Sequence, residues 1–218
     1  MKKRTKTSDK ILDAARRLFN QTSYASTTLT EIAAEVGISQ GNLTYHFRTR
    51  RDLVTAIQAQ VSARIGARRA GLMPGDVADD YVDHLMFAME ITATYRFLLR
   101  DDAQLGEGPG HQRPHQVLLD DYADLGRLLE RVEAEGFLRP ELGVNVEILT
   151  RSLWILSRYW MDHLDEMELV EDVSLVDQIR GVQHHFALLL PNLVPEARER
   201  FVLALSRASE AARATRGA

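Results

Sequence analysis

Helical spacing of apolar residues runs along nearly the whole chain, and it constrains the fold more than any other feature of the sequence. Leucine, isoleucine, valine and aromatic residues recur three and four positions apart, which places them on one face of an α-helix. No segment shows the sustained alternation of β-branched residues that predicts a strand. The six prolines stand where the helical pattern is interrupted. We therefore predict an all-α protein.

The interruptions divide the 218 residues into nine predicted helices. These cover residues 8–20, 28–36, 39–47, 49–72, 76–100, 115–135, 144–167, 174–190 and 195–213. Residues 105–114 hold three glycines and two prolines, so we predict a loop there.

Two of the short helices carry strong start and stop signals. Thr28 and Glu31 form a capping box, in which each side chain bonds the other's backbone N–H. Gly37 ends the second helix, and Ser39 is the N-cap of the third. Two short capped helices after a longer one are typical of a helix-turn-helix. A helical hairpin without a DNA role has the same pattern and remains an alternative.

The charge is distributed unevenly. Residues 1–70 contain thirteen lysines and arginines against five acidic residues, and the remainder contains fourteen against twenty-six. A basic end on an acidic body indicates that this end faces a polyanion. All four lysines lie in the first ten residues, so a solvated basic tail is the alternative.

The third predicted helix carries residue types that can read DNA. Its outer face, opposite the apolar Leu43 and Phe47, holds Gly41, Asn42 and Tyr45, with Gln40, Thr44 and His46 at the margins. Glutamine and asparagine amides can pair with adenine edges, and hydroxyl, imidazole and guanidinium groups bind phosphates. Gly41 is costly inside a helix. It indicates a close approach of the backbone, either to DNA or to another helix.

Residues Gly37 to Phe47 (GISQGNLTYHF) resemble the TetR family of transcription regulators, and the surrounding residues 8–55 agree. The resemblance implies an all-helical homodimer whose first three helices bind DNA, with a divergent ligand-binding domain behind them. It also implies that Gln40, Gly41, Asn42 and Tyr45 face bases, and that Thr28, Tyr45, His46 and Arg50 hold phosphates. The sequence departs from the family pattern at Thr44, where tyrosine is frequent, and at Arg50, where lysine is frequent.

We therefore predict a helix-turn-helix DNA-binding domain over residues 1–50 and a helical ligand-binding and dimerisation domain over residues 51–218. The predicted function is a ligand-responsive regulator, more often a repressor in this family, that binds a palindromic double-stranded DNA operator as a homodimer. The half-sites would lie about 34 Å apart. The expected DNA-binding residues are Thr28, Ser39, Gln40, Gly41, Asn42, Thr44, Tyr45, His46 and Arg50.

Aromatic and methionine side chains are concentrated in the C-terminal part. The candidate pocket residues there are Tyr81, His84, Met89, Tyr122, Trp154, Tyr159 and His163. Apolar walls with a few polar groups suit a small, mostly apolar ligand. Plain core packing is the alternative for each of them. Helices 144–167 and 174–190 have wide apolar faces and are the candidates for the dimer interface.

Several classes of protein are disfavoured. The chain has no cysteine, which excludes disulfides, thiolate metal sites and a catalytic cysteine. Because the adjacent His184 and His185 point in different directions on a helix, we expect no metal site, and we expect no cofactor. No run of about 18 apolar residues exists, so we expect a cytoplasmic protein without a membrane span. An all-helical enzyme is disfavoured because the sequence contains no recognisable catalytic motif. A helical adaptor that binds protein remains a third hypothesis.

Overall fold

The computed structural model describes residues 7–71, 73–105 and 115–217. Within them the regular structure is helical, apart from one isolated β-bridge between Leu138 and Leu193, so the all-α prediction is confirmed. The α-helices are α1 Thr7–Thr22, α2 Leu29–Val36, α3 Gln40–His46, α4 Arg50–Gly71, α5 Val77–Thr94, α6 Phe97–Arg100, α7 Asp102–Leu105, α8 His115–Ala134, α9 Val146–Glu166, α10 Leu175–Leu189 and α11 Pro195–Gly217. Short 3₁₀ turns occupy Pro140–Leu142 and Leu190–Asn192.

The first of two compact units comprises the described residues of 1–72 and 95–115. Its core is formed by the apolar stripes that the sequence predicts on the first four helices: Ile11, Ala15, Phe19, Ile32, Leu43, Leu53 and Ile57. The predicted domain boundary at residues 50 and 51 falls at the start of α4, which lies within this unit. The assignment of functions on either side of that boundary stays a prediction. Lys2, Lys3 and Lys6 and nearly all of the predicted loop lie outside the described residues.

The second compact unit comprises the described residues of 73–94 and 116–218. Its core is built by α5, α8, α9, α10 and α11, and its large buried side chains include Tyr81, Met89, Leu129, Leu153, Trp160, Phe186 and Phe201.

One predicted helix is wrong in its extent. Residues 76–100 do not form a single helix, because α5 ends at Thr94 and α6 begins at Phe97. The backbone N–H of Phe97 donates to Oδ1 of Asn20, at 3.1 Å, rather than continuing the helical ladder of α5. This bond belongs to the packing of α6 on α1 within the first unit, so a tertiary contact interrupts the helix.

Candidate DNA-binding and ligand-binding sites

Local capping fixes the start of α2 and the turn that follows it. The Thr28 hydroxyl accepts from the N–H of Glu31 at 3.2 Å, and the Glu31 carboxylate accepts from the N–H of Thr28 at 2.7 Å. The N–H and the hydroxyl of Thr28 both donate to the Glu31 carboxylate, and these two bonds lower the pKa of that carboxyl. Gly37 has φ +74°, a left-handed conformation that glycine adopts without steric cost. The N–H groups of Gly37 and Ile38 then bond Ala34 and Ala33, which closes α2 and directs the chain into α3.

The orientation of α3 is set by one cap and one anchor. The Ser39 hydroxyl accepts from the N–H of Asn42 at 3.2 Å, and Leu43 is fully buried. Phe47, the other apolar residue on this side of the helix, is only half-buried. Because Leu43 faces the core, the opposite face lies in solvent, and the Tyr45 side chain is 85% exposed. The other exposed candidates are Ser39, Gln40, Gly41, Asn42 and His46, whereas Thr44 is half-buried.

Contacts within the motif restrain several of these side chains. The Thr30 hydroxyl of α2 donates to Oε1 of Gln40 at 3.1 Å, and the Tyr45 ring meets the His46 ring edge-on at 5.4 Å. A methyl group at Gly41 would meet only the Ser39 hydroxyl, at 4.0 Å. Close packing against another helix, the alternative reason for Gly41, is therefore absent from the described residues of this chain.

Two residues expected to hold phosphates already have partners. The Thr28 hydroxyl donates to the Glu31 carboxylate at 2.8 Å. Nη1 of Arg50 donates to the carbonyls of Tyr24, Ala25 and Thr27, at 2.7, 3.0 and 2.8 Å. Arg50 thus ties the first residue of α4 to the turn that precedes α2, and its phosphate contact stays a prediction.

In the second unit, three of the predicted pocket residues meet around Asp121 of α8. The Trp154 indole N–H donates to Oδ2 of Asp121 at 3.0 Å, and Nε2 of His84 lies 3.5 Å from Oδ1. The Tyr122 ring packs edge-on against Trp154 with 5.8 Å between ring centres. Trp154 is only half-buried, so an apolar surface bordered by a carboxylate remains accessible.

The other predicted pocket residues divide between the core and the surface. Tyr81 and Met89 are buried, and the Tyr81 hydroxyl lies 2.7 Å from Nε2 of His185. Tyr159 is 55% exposed, with the Arg158 guanidinium over its ring. His163 is also exposed and stacks on Trp160. The structure does not bring Tyr159 and His163 together with the group around Asp121.

Sequence reasoning missed Asp121 and the buried hydrogen-bonding role of His185, although periodicity offered a signal for both. Asp121 is three residues after Leu118 and four before Leu125, on the inward stripe of α8. His185 has the same relation to Val182 and Leu189 of α10. A polar residue at such a position needs a partner, and each has at least two.

Within residues 7–71, 73–105 and 115–217, no three histidine or acidic side chains converge as ligands for a metal ion. Of the helices in the described part of the chain, none combines the length and hydropathy needed to span a bilayer.

Comparisons with known proteins agree with this architecture. A family model described as "Bacterial regulatory proteins, tetR family" matches residues 11–57, and one described as "Bacterial transcriptional repressor" matches residues 58–201. The HTH-type transcriptional regulator AcrR of Shigella flexneri is 34% identical over 87 residues, which are 38% of this chain and 40% of that protein. The match to this curated relative therefore spans less than half of its length.

Two solved structures resemble nearly the whole chain. A TetR-family transcriptional regulator from Marinobacter aquaeolei VT8 has a TM-score of 0.66 and 24% identity, covering 93% of this chain and 98% of that one. A gamma-butyrolactone receptor described as ArpA-like has a TM-score of 0.64 and 21% identity, covering 94% and 97%. The two family models and AcrR are described as regulators rather than enzymes. The family models together span residues 11–201, and the chain belongs to the TetR family of bacterial transcriptional regulators.

Proposed function

We propose that this chain represses transcription in the bacterial cytoplasm by binding a palindromic operator as a homodimer. The exposed face of α3 carries this proposal. The helix is anchored by the buried Leu43 on one side and presents the 85% exposed Tyr45 on the other. A short helix held in this way fits the major groove of B-DNA with its outer face toward the bases.

Base recognition falls to the amides on this face. Gln40 and Asn42 offer the donor and acceptor pair that matches an adenine edge, and Thr30 restrains Gln40. Gly41 lets the helix backbone approach the DNA closely. Tyr45 and His46 reach phosphates, and the exposed Arg48 adds charge beside them.

The homodimer would form through α9 and α10. Ile148, Ile155 and Tyr159 recur along one exposed face of α9, and Val176 and Leu188 are exposed on the neighbouring α10. Large apolar side chains that are exposed together on two adjacent helices indicate an interaction surface. Two such helices from each protomer would form a four-helix interface with twofold symmetry.

The ligand site would lie beside Trp154. The Trp154 and Tyr122 rings offer an apolar surface, and Asp121 with His84 supplies polar groups that orient a ligand. A small, mostly apolar molecule with one polar end suits this arrangement. Gamma-butyrolactones, after which the receptor of similar fold is named, have this character.

The DNA-binding proposal is tested at Tyr45. The substitution Tyr45→Ala should lower affinity for a palindrome selected in vitro by the wild-type protein at least tenfold, because an exposed DNA contact is lost. Helix content and thermal stability should not change, since Tyr45 does not pack in the core. Tyr45→Phe keeps the ring and isolates the hydroxyl. Unchanged DNA affinity in Tyr45→Ala would refute the proposed role of α3.

The ligand proposal is tested by tryptophan fluorescence with a panel of apolar compounds that includes gamma-butyrolactones. A ligand beside Trp154 should change the emission of wild-type protein and of Trp160→Phe, but not that of Trp154→Phe. It should also release the selected palindrome. Such release requires that the ligand bind the DNA-free dimer more tightly than the DNA-bound dimer. Equal responses of the two tryptophan variants would place the ligand elsewhere.

A further inference from the structure

The turn between α1 and α2 is held by a segment far away in the sequence. Residues 95–101 include α6 and pack on the end of α1 within the first unit. Phe97 is fully buried, and its ring centre lies 5.1 Å from that of Phe19. The Arg16 guanidinium lies over the Tyr95 ring, at 5.9 Å. These contacts bring α6 to the element that precedes the helix-turn-helix.

Charged groups make the most specific part of this contact. Arg100 donates to the carbonyls of Phe19 and Asn20, at 2.7 and 3.0 Å, and so caps the last turn of α1. It also donates to both oxygens of Asp101, at 2.9 and 3.2 Å. Asp101 in turn accepts from the backbone N–H of Tyr24 at 2.7 Å. Arg100 and Asp101 thus join α6 to the end of α1 and to the turn.

Asp101 is only 4% exposed, which makes plain apolar packing an incomplete account of this contact. Burying a carboxylate is costly unless charged donors satisfy it, and breaking such a pair leaves an uncompensated charge. Apolar side chains would hold α6 against α1 at a lower free-energy cost. The buried carboxylate instead fixes a direction, because it accepts from one particular backbone N–H of the turn.

The turn itself is strained and is held on two sides. Ser23 has φ +96°, a conformation that residues other than glycine rarely adopt and that persists where surrounding contacts impose it. Asp101 binds the N–H of Tyr24, and Arg50 binds three carbonyls of the same turn. Thr28, the N-cap of α2, follows directly.

We propose that Arg100 and Asp101 are positioning residues for operator binding: they hold the turn between α1 and α2 so that α2 and α3 meet DNA in the correct orientation. The proposal rests on the proposed DNA-binding function. It concerns specific DNA, because binding to random sequence depends on charge more than on orientation.

The test compares two substitutions that change the net charge equally. Asp101→Asn removes the charge of the anchor and one of its two acceptor oxygens, so the side chain can no longer accept from both the Tyr24 N–H and the two Arg100 nitrogens. Asp13→Asn removes an exposed carboxylate of α1, in the same unit, that pairs with Arg16 and Arg17. Charge alone would make both variants bind DNA more tightly. We expect Asp101→Asn to lose at least tenfold in affinity for the selected palindrome while its affinity for random DNA stays equal or rises, and Asp13→Asn to lose nothing.

A local readout accompanies the affinities. Hydrogen exchange of the Tyr24 amide should accelerate in Asp101→Asn and stay unchanged in Asp13→Asn, with the dimer and the circular dichroism spectrum retained in both. If Asp101→Asn fails to fold, Arg100→Lys keeps the charge but loses the forked contacts, and it should lower operator affinity at least threefold. Equal affinity changes in Asp101→Asn and Asp13→Asn would overturn the proposal, as would an Arg100→Lys variant that binds the operator like wild type.

The controls separate this proposal from the function on which it rests. If Tyr45→Ala retains operator affinity, the assignment of α3 as the recognition helix fails. The comparison of Asp101→Asn with Asp13→Asn decides the positioning role independently, because both are measured against the same wild-type operator complex.

Discussion

At the scale of single residues, the second unit contains a polar cluster formed by the buried His185 and two hydroxyl groups. The Nε2 of His185 lies 2.7 Å from the Tyr81 hydroxyl, and its Nδ1 lies 2.8 Å from the Ser157 hydroxyl. Burial, followed by the nearby His84, lowers the pKa of His185 to about 3. Burial also raises the pKa of Tyr81. The imidazole is therefore neutral in the folded protein, and it links α5, α9 and α10 through hydrogen bonds.

Because His185 is buried in its neutral form, we expect the second unit to lose stability in mild acid. In the unfolded chain a histidine takes up a proton near pH 6.5, whereas folded His185 resists protonation down to a pKa of about 3. Stability is therefore fully present above pH 6.5. It should fall as the pH falls from 6.5 toward 3, by about 1.4 kcal/mol per pH unit from this group.

The measurement is urea unfolding between pH 7 and 5, followed by tryptophan fluorescence, because both tryptophans lie in the second unit. His185→Gln should show a shallower pH dependence than wild type. The exposed neighbour provides the control, and His184→Gln should keep the wild-type slope. Identical slopes in His185→Gln and wild type would show that His185 does not govern this dependence.

Local signals predicted the residues of the helix-turn-helix, whereas tertiary partners escaped them. The capping box of Thr28 and Glu31, the left-handed Gly37 and the Ser39 cap are all encoded within a few positions of each other. The turn residues that Arg50 and Asp101 bind lie 23 to 77 positions away from them, so no spacing rule reaches these contacts. Arg50 accordingly looked like a free phosphate ligand in the sequence.

At the scale of helices, α10 packs tightly against α9 and α5 at Gly181. A methyl group at Gly181 would lie 2.6 Å from Cδ1 of Trp160 and 3.0 Å from Cε of Met89. Trp160 cannot easily move aside, since it is buried and its indole N–H donates to the carbonyl of Asp177 at 2.9 Å. Glycine is therefore required for this helix crossing.

We expect Gly181→Ala to lower the free energy of unfolding by about 1–3 kcal/mol through overpacking. Gly126 in α8 is the matched control, because a methyl group there would meet only Cγ2 of Thr150 at an ordinary 3.8 Å. Gly126→Ala should raise the free energy of unfolding by about 0.5–1 kcal/mol, since alanine favours the helix. Thermal or urea unfolding checks both, and two changes of the same sign would contradict the argument.

The apolar periodicity of the sequence predicted which segments are helical. The ends of a helix could be predicted where a capping or breaking residue lies at that end. The predicted helices 115–135 and 174–190 agree with α8 and α10 within one residue at each end. The predicted helix 76–100 failed because its break at Tyr95 and Arg96 carries neither proline nor glycine. The cause is the bond from Phe97 to Asn20, and that contact depends on the fold.

At the scale of the whole molecule, we expect DNA binding to depend on the charges of residues 1–70 and not on charges in the second unit. Residues 1–70 hold thirteen basic against five acidic residues. We expect the logarithm of DNA affinity to fall with the logarithm of salt, with a slope of about −0.9 per phosphate neutralised. Arg48→Ala should reduce this slope by about 1. Arg207→Ala removes an equal charge that pairs with Asp79 in the second unit, and it should leave the slope unchanged. Equal slopes in the two variants would refute the expected separation.

The proposed homodimer predicts that operator affinity depends on the exposed face of α9. Ile155→Glu places a charge in the middle of the stripe formed by Ile148, Ile155 and Tyr159, where a partner would bury it without compensation. The protomer should stay folded, because this side chain is already 47% exposed. Analytical ultracentrifugation should then detect a monomer.

DNA binding distinguishes loss of the dimer from loss of the recognition helix. The Ile155→Glu monomer should bind a single half-site as tightly as wild type, but it should lose on the order of 100-fold in affinity for the full palindrome, because the second half-site no longer binds as part of the same complex. Leu203→Glu alters an exposed apolar residue of α11 instead, and it should preserve both the dimer and the palindrome affinity. A dimeric Ile155→Glu protein would place the interface on another surface of the second unit.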